Sequence, residues 1–174
     1  MNVDFRGRKL GTILVAIGAI DGVQAAAALE YGDAIGCRFG EACLRLGLTV
    51  DGAIVRAMSL QAGTPSVALG GFEPDAASLA RIPGWLARKH RVFPLSLTKT
   101  AGGRDKIVIA AARPGDIAAL DEVAFLTGCR VAPVVTSDAD LDEAIDRHYA
   151  ENSIDLETGP GLEHVVERYF DARP

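Results

Sequence analysis

Lys9-Leu-Gly-Thr-Ile-Leu-Val-Ala-Ile-Gly18 and Arg38-Phe-Gly-Glu-Ala-Cys-Leu-Arg-Leu-Gly47 are the two stretches whose comparison decides the fold. Set one above the other at an offset of 29 residues, they share a cation at the first position, an apolar residue at the second and glycine at the third. Both then carry apolar residues at the sixth and seventh positions and glycine at the tenth. The correspondence continues downstream: Ala25 faces Ile54, Leu29 faces Met58, and Gly32 faces Gln61. Each unit is therefore 24 residues (9–32 and 38–61), and a five-residue spacer, Asp33 to Cys37, separates them. A fixed period of this kind marks one supersecondary unit used twice.

Each unit reads as a short helix, a turn and a longer helix. Leu14, Val15 and Ile17 fall mostly on one helical face, and Gly18 suits the position just past a helix end, where a positive φ is needed. Asp21 is placed to cap a second helix through Ala25 and Leu29. In the second copy Gly47 ends the first helix, Thr49 or Asp51 caps the next, and Gly63 with Pro65 stops it. Two such hairpins are expected to bury their apolar faces against each other.

The Gly- and Pro-rich stretch Gly63–Pro74 reads as a boundary. Beyond it, Asp75 to Arg81 and Gly84 to His90 predict short helices, and Val92 to Lys99 alternates like a strand. Ala101-Gly-Gly103 is a turn, and Ile107 to Ala112 a continuous apolar strand. Asp116 caps a helix ending at Gly128, Val131 to Val135 is a third strand, and Ser137 or Asp138 opens an acidic helix through Tyr149. The fold class is α+β: a helical subdomain of two helix-turn-helix repeats (1–63), a small mixed α/β subdomain (64–150), then a linker and an amphipathic helix, Leu162 to Phe170 (151–174).

Composition bounds the function. The chain has 174 residues, 49% of them hydrophobic, and a net charge of −5. No apolar run reaches the ~18 residues of a membrane span, and Met1–Lys9 lacks the apolar core of a secretory signal. Three cysteines, Cys37, Cys43 and Cys129, read as reduced core residues, so a cytoplasmic chain without direct membrane insertion is expected. Residues 115–174 hold fourteen acids against four Lys/Arg. That excess reads first as a solvated helix surface, and an acidic chain is a poor partner for nucleic-acid polymers.

Catalytic signatures are missing. The sequence has no phosphate-binding G-x-x-x-x-G-K-[ST] loop, no G-x-G-x-x-G, no His-Glu-x-x-His and no Cys-x-x-Cys. His90, His148 and His164 are scattered, and Cys43 occupies a packing position of its repeat. No catalytic residue, metal ligand or cofactor is predicted, and the chain is not expected to be an enzyme. What stands out is the doubled cation–apolar–glycine start. Gly11 and Gly40 fall in the first turn of their helices, with Lys9 and Arg38 two residues before them. Side by side, such starts suit a ligand with two phosphates; alternatively, the glycines only allow close helix packing.

These features resemble the MshEN domain, the N-terminal domain of type II secretion and type IV pilus assembly ATPases. Its motif runs Arg-Leu-Gly-x-x-apolar-apolar-x-x-Gly-apolar-apolar, then Leu, Leu and Gln. The later stretches Ile107–Asp116, Ala119–Gly128, Val131–Val135 and Ala144–Tyr149 follow that domain's second half in order, so the resemblance spans about residues 8–150. It implies a non-catalytic regulatory or docking module that works with secretion or pilus machinery, a cytoplasmic platform component or the motor ATPase itself. Some members bind cyclic di-GMP through both repeats. Carried over by position, the implied ligand set is Lys9, Leu10, Gly11, Leu14, Gly18 and Leu29 from the first copy. The second copy supplies Arg38, Phe39, Gly40, Leu44, Gly47, Ile54, Met58 and Gln61. The second copy keeps Arg38 and Gln61. The first has Lys9 for Arg, Ala25 for Leu and Gly32 for Gln, losing a planar fork, apolar surface and a side-chain amide. The Walker-bearing motor of those ATPases does not follow, which implies an excised domain or a stand-alone adaptor. The alternative is a purely structural protein–protein interaction domain that binds no nucleotide, a reading favoured by the degenerate first copy.

Overall fold

The computed structural model describes residues 4–100 and 102–149. Four helices come first: α1 (Leu10–Ala16), α2 (Gly22–Ile35), α3 (Phe39–Arg45) and α4 (Asp51–Ala62). The short helices of the two repeats end in the same way. Gly18 and Gly47 take φ of 71° and 64°. Around them Gly18 N–H donates to Val15 and Ala19 N–H to Leu14, while Gly47 N–H donates to Leu44 and Leu48 N–H to Cys43, all at 2.9–3.0 Å. Each is a Schellman stop, which explains the glycine at the tenth position of both copies.

The long helices differ. Asp21 accepts from Gln24 N–H at 2.8 Å, and Gln24 returns a bond to Asp21 N–H, closing a capping box. In the second copy neither Thr49 nor Asp51 caps: Val50 holds the N-cap position without a side-chain bond. Asp51 is the first helical residue, where its charge complements the exposed N–H groups. The expected spacer also needs correction, because α2 runs on through Ile35 and only Gly36 ends it. The hairpins pack crosswise, α1 against α4 and α2 against α3. Their core holds Ile13, Leu14, Ile20, Ala28, Ala42, Cys43, Ile54 and Ala57. Burial pushes the Cys43 thiol above its ordinary pKa, as befits an inert packing residue.

The second half contains α5 (Ala76–Arg81), α6 (Gly84–His90), β1 (Val92–Lys99), β2 (Asp105–Ala111), α7 (Ile117–Thr127), β3 (Arg130–Val135) and α8 (Asp138–Tyr149). The sheet order is β1-β2-β3, antiparallel for the first pair and parallel for the second. The parallel pair requires a crossover, which α7 supplies. Pro94 has no N–H to give; it lies on the edge strand β1, beside a register shift between Pro94 and Ser96. Contrary to the expected alternation, the first four residues of β1 are all buried. Phe93, fully buried, packs on His148 and Tyr149 at ring distances of 5.3 and 6.3 Å. Removing a side chain of that class from water is worth about 1.5–3 kcal/mol.

The stretch after α4 is more than a spacer. Val67 N–H donates to Val135 O, Val135 N–H to Pro65 O, and Thr64 Oγ1 to Pro133 O, at 2.8–2.9 Å. It thus lies along the free edge of β3 and ties the helical half to the mixed half. The acidic face of α8 is also more than solvated surface. Asp140 accepts from Leu69 N–H at 3.1 Å, Asp142 pairs with Arg91, and Asp146 with Arg88. No helix among the described residues is long and apolar enough to cross a membrane. The predicted helix Leu162–Phe170, with His164, lies outside the described residues.

Candidate functional site

The second positions of the two repeats exchange partners. Phe39 covers Gly11, where an added Cβ would stand 3.0 Å from the ring. Leu10 covers Gly40, where a Cβ would stand 3.5 Å from Leu10 and 3.4 Å from Ile54. The glycines therefore serve close packing between the copies. Their helices are seven residues each. Lys9 and Arg38 hold the N-cap positions with extended backbone and make no side-chain cap bond.

Two depressions flank this seam. The larger is a cleft of about 640 Å³ that gathers Leu10, Arg38, Gly40, Leu44, Ile54, Met58 and Gln61. The smaller, about 500 Å³, gathers Lys9, Leu10, Gly11, Leu29 and Phe39, with Val15 and Ala25 beside them. Only Leu10 belongs to both. The remaining expected residues reach neither: Leu14 is fully buried in the core, and Gly18 and Gly47 are helix stops. Their recurrence reflects folding rather than a place in a cleft wall.

The larger cleft has a wall that motif reasoning missed. Arg91, Ala112, Arg113, Thr136, Ser137 and Asp138 line it from the mixed half. Ala112–Arg113 and Thr136–Ser137 follow the carboxyl ends of the parallel strands β2 and β3, where open α/β sheets place ligand crevices. The strand–helix–strand pattern of residues 107–135 carried that signal. Glu41, Asp51 and Val55 come from within the second repeat, at positions the motif leaves unspecified.

Charges in the cleft are partly paired. Glu41 binds Arg45 at 2.6 Å, and that carboxylate raises the Arg45 pKa. Arg91 grips Asp142 and, at 2.6 Å, Asp138. The Asp142 bond foremost raises its pKa further, against the opposing effect of burial. Arg91 is also the one non-glycine residue with positive φ, 54°, among the described residues. Arg38 and Arg113 form no ion pair among the described residues. Gln61 is already engaged, its amide donating to Arg8 O at 2.6 Å. Ser137 Oγ accepts from Asp140 N–H at 3.0 Å and caps α8, whereas Thr136 Oγ1, on a residue 1% exposed, has no partner among the described residues. The site offers guanidinium groups, hydroxyls and apolar surface, which suits binding of a planar, anionic ligand.

Comparison with known proteins adds context. The profile of the MshEN domain matches residues 62–154, just over half of the chain. The type IV pilus assembly ATPase PilB of Myxococcus xanthus (strain DK1622) is 32% identical over 158 residues, covering 91% of this chain and 26% of PilB. PilB of Acinetobacter baylyi (strain ATCC 33305 / BD413 / ADP1) is 26% identical over 100 residues, covering 58% of this chain and 16% of its own length. The chain thus spans about a quarter or less of these curated relatives. Among solved structures, MshE with cdg superposes with a TM-score of 0.70 at 22% identity, covering 82% of this chain and 99% of that one. The N-terminal domain of XpsE gives 0.62 at 17% identity, covering 84% and 98%. These likenesses extend the fold match beyond the mixed half that the profile detects. The chain belongs to the MshEN domain family.

Proposed function

We propose that this domain is a non-catalytic regulatory and docking module of a type IV pilus or type II secretion motor, and that it binds cyclic di-GMP in the larger cleft. One observation carries the reading: Arg38, Gly40, Leu44, Ile54 and Met58, separated by up to 20 positions in sequence, converge on a single cleft of about 640 Å³. Arg38, free of ion pairs among the described residues, presents a planar fork suited to the O6/N7 edge of guanine or to a phosphate. Leu44, Ile54 and Met58 supply the apolar surface on which a base rests. MshE, whose fold this chain shares, has been solved with cdg, which supports the choice of ligand. The two hydrophobic clusters support reading residues 1–63 and 64–150 as two subdomains, with the cleft between them.

The second depression supports a different role. Its lining is largely apolar, with Leu29 56% and Val15 39% exposed and Lys9 as its one cation. That surface favours contact with a protein of the secretion or pilus machinery over nucleotide binding. Calorimetry of the 174-residue chain with cyclic di-GMP tests the main reading. Wild type is expected to bind, and Arg38→Ala to lose roughly ten- to hundredfold in affinity, the range for one charge-assisted contact. Absence of heat with wild type at high micromolar ligand would leave the docking role alone.

A further inference from the structure

We infer that the mixed half carries an anion subsite, built from Arg113 and the Thr136 hydroxyl, that receives a phosphate of the bound nucleotide and clamps the two halves of the domain together. This rests on the cleft being the nucleotide site, and extends it to residues outside both repeats.

The first support is a polar atom that lacks a partner. Thr136 is 1% exposed, borders the cleft, and has no hydrogen-bond partner for Oγ1 among the described residues. A buried hydroxyl in that state is unfavourable until an acceptor or donor reaches it. Its neighbour Ser137, also buried, is satisfied by capping α8, so of these two adjacent hydroxyls only that of Thr136 is left without a partner among the described residues.

Charge supplies the second support. Three cations and three acids line the cleft: Arg38, Arg91 and Arg113 against Glu41, Asp51 and Asp138. Glu41 is neutralised by Arg45, and Asp138 by Arg91. Asp51 stands in the first turn of α4, where the helix N–H groups offset its charge. Among the described residues, Arg38 and Arg113 are left over, one from each half. The Arg91 fork onto Asp138 and Asp142 has a further consequence: it occupies carboxylates that would otherwise repel an anion near Arg113 and Thr136. A guanidinium and a hydroxyl contributed to one cleft wall are a suitable donor set for a phosphate or phosphodiester oxygen.

Topology turns the subsite into a clamp. Arg38 precedes α3 in the helical half, whereas Arg113 and Thr136 end β2 and β3. One ligand touching both walls links the halves by a path independent of the 64–67 stretch that already joins them. Occupancy is then read out as stiffness between the halves.

The test is calorimetry on the full 174-residue chain with two probes, cyclic di-GMP and GTP, using wild type, Arg38→Ala, Arg113→Ala, Arg113→Lys and Thr136→Val. Arg113 is exposed, so its variants report binding rather than folding, and circular dichroism melts verify this. The expected result is a roughly ten- to hundredfold loss for Arg113→Ala, partial recovery in Arg113→Lys, and a smaller loss for Thr136→Val. Amide exchange at Val67 and Val135 is expected to slow with ligand in wild type and not in Arg113→Ala. If Arg113→Ala and Thr136→Val bind cyclic di-GMP within about twofold of wild type while Arg38→Ala does not bind, the cleft reading stands and the subsite is overturned. If wild type binds GTP alone and Arg113→Ala abolishes this, the subsite holds and cyclic di-GMP is the wrong ligand. If wild type binds neither probe, both fall.

Discussion

Thr136→Val is expected to make the ligand-free protein more stable while weakening the site. Thr136 follows β3 and donates its backbone N–H to Ala111 O at 3.2 Å, a bond that valine keeps. The two side chains have nearly the same shape, so the exchange removes one hydroxyl without opening a cavity or crowding the core. That hydroxyl is buried and unpartnered, a state that costs about 1–3 kcal/mol. Taking the lower part of that range, stabilisation of about 1–2 kcal/mol follows, or roughly 2–8 °C in Tm for a chain of this size. The adjacent residue is the control. Ser137 is 6% exposed, but its Oγ accepts Asp140 N–H at 3.0 Å, so Ser137→Ala removes a helix cap and costs about 1 kcal/mol. Urea and thermal melts without ligand, read by circular dichroism, measure both. Two neighbouring hydroxyls with opposite signs are the signature. A Thr136→Val protein less stable than wild type by ~1 kcal/mol or more would mean that the hydroxyl is satisfied in the free protein, and the reasoning would fail.

Two further outcomes are expected. Gly18→Ala and Gly47→Ala each force a side chain into left-handed backbone at φ of 71° and 64°, with no neighbour to clash, so both should cost about 1–2 kcal/mol in urea melts and by similar amounts. A clear inequality would show that the two copies do not share one stop. Acid sensitivity should trace in part to Asp75, whose carboxyl lies below its ordinary pKa of 3.8 because Ser78 N–H foremost, then Leu97 N–H, donates to it. A lowered folded-state pKa gives stability that is present above the ordinary value and lost as pH falls through the lowered one. Stability followed by urea melts should therefore drop below about pH 4, with a shallower slope in Asp75→Asn, which keeps a cap without the charge; an unchanged slope would remove Asp75 from that role.

Local chemistry was legible in the sequence wherever a residue type has one physical use. Gly18, Gly47, Gly63 and Gly128 end helices, Asp21 and Asp116 cap them, and apolar runs form the strands. Residues with several uses misled. Asp51 suits an N-cap by type, yet Val50 holds that place because the chain enters α4 one residue earlier. Leu14 shares its motif with cleft residues, but the helix turns it fully into the core. The wall formed by Arg91, Arg113 and Thr136 was hidden for a different reason. Those residues are 22 and 23 positions apart and meet because β2 pairs antiparallel with β1, which follows Arg91, and parallel with β3, facts of tertiary pairing that no local spacing encodes.

Gly32 shows why the two repeats could diverge without loss of the fold. In the second copy the corresponding Gln61 lies in the last turn of α4, and its amide reaches Arg8 O. In the first copy the long helix continues to Ile35, so the same position lies two residues further from the helix end, in a helix that packs against α3. There Gly32 is buried, and a Cβ would stand 3.0 Å from the Cys37 carbonyl oxygen and 3.7 Å from Ala42 Cβ. A glutamine cannot enter without moving backbone. The missing amide is thus the consequence of a tighter α2–α3 contact rather than drift at an idle position. The same contact brings Cys37 and Arg38 to the rim of the larger cleft. On the proposed reading, the first copy supports the second, ligand chemistry gathers in the larger cleft, and the apolar groove beside Leu29 is left for a different partner.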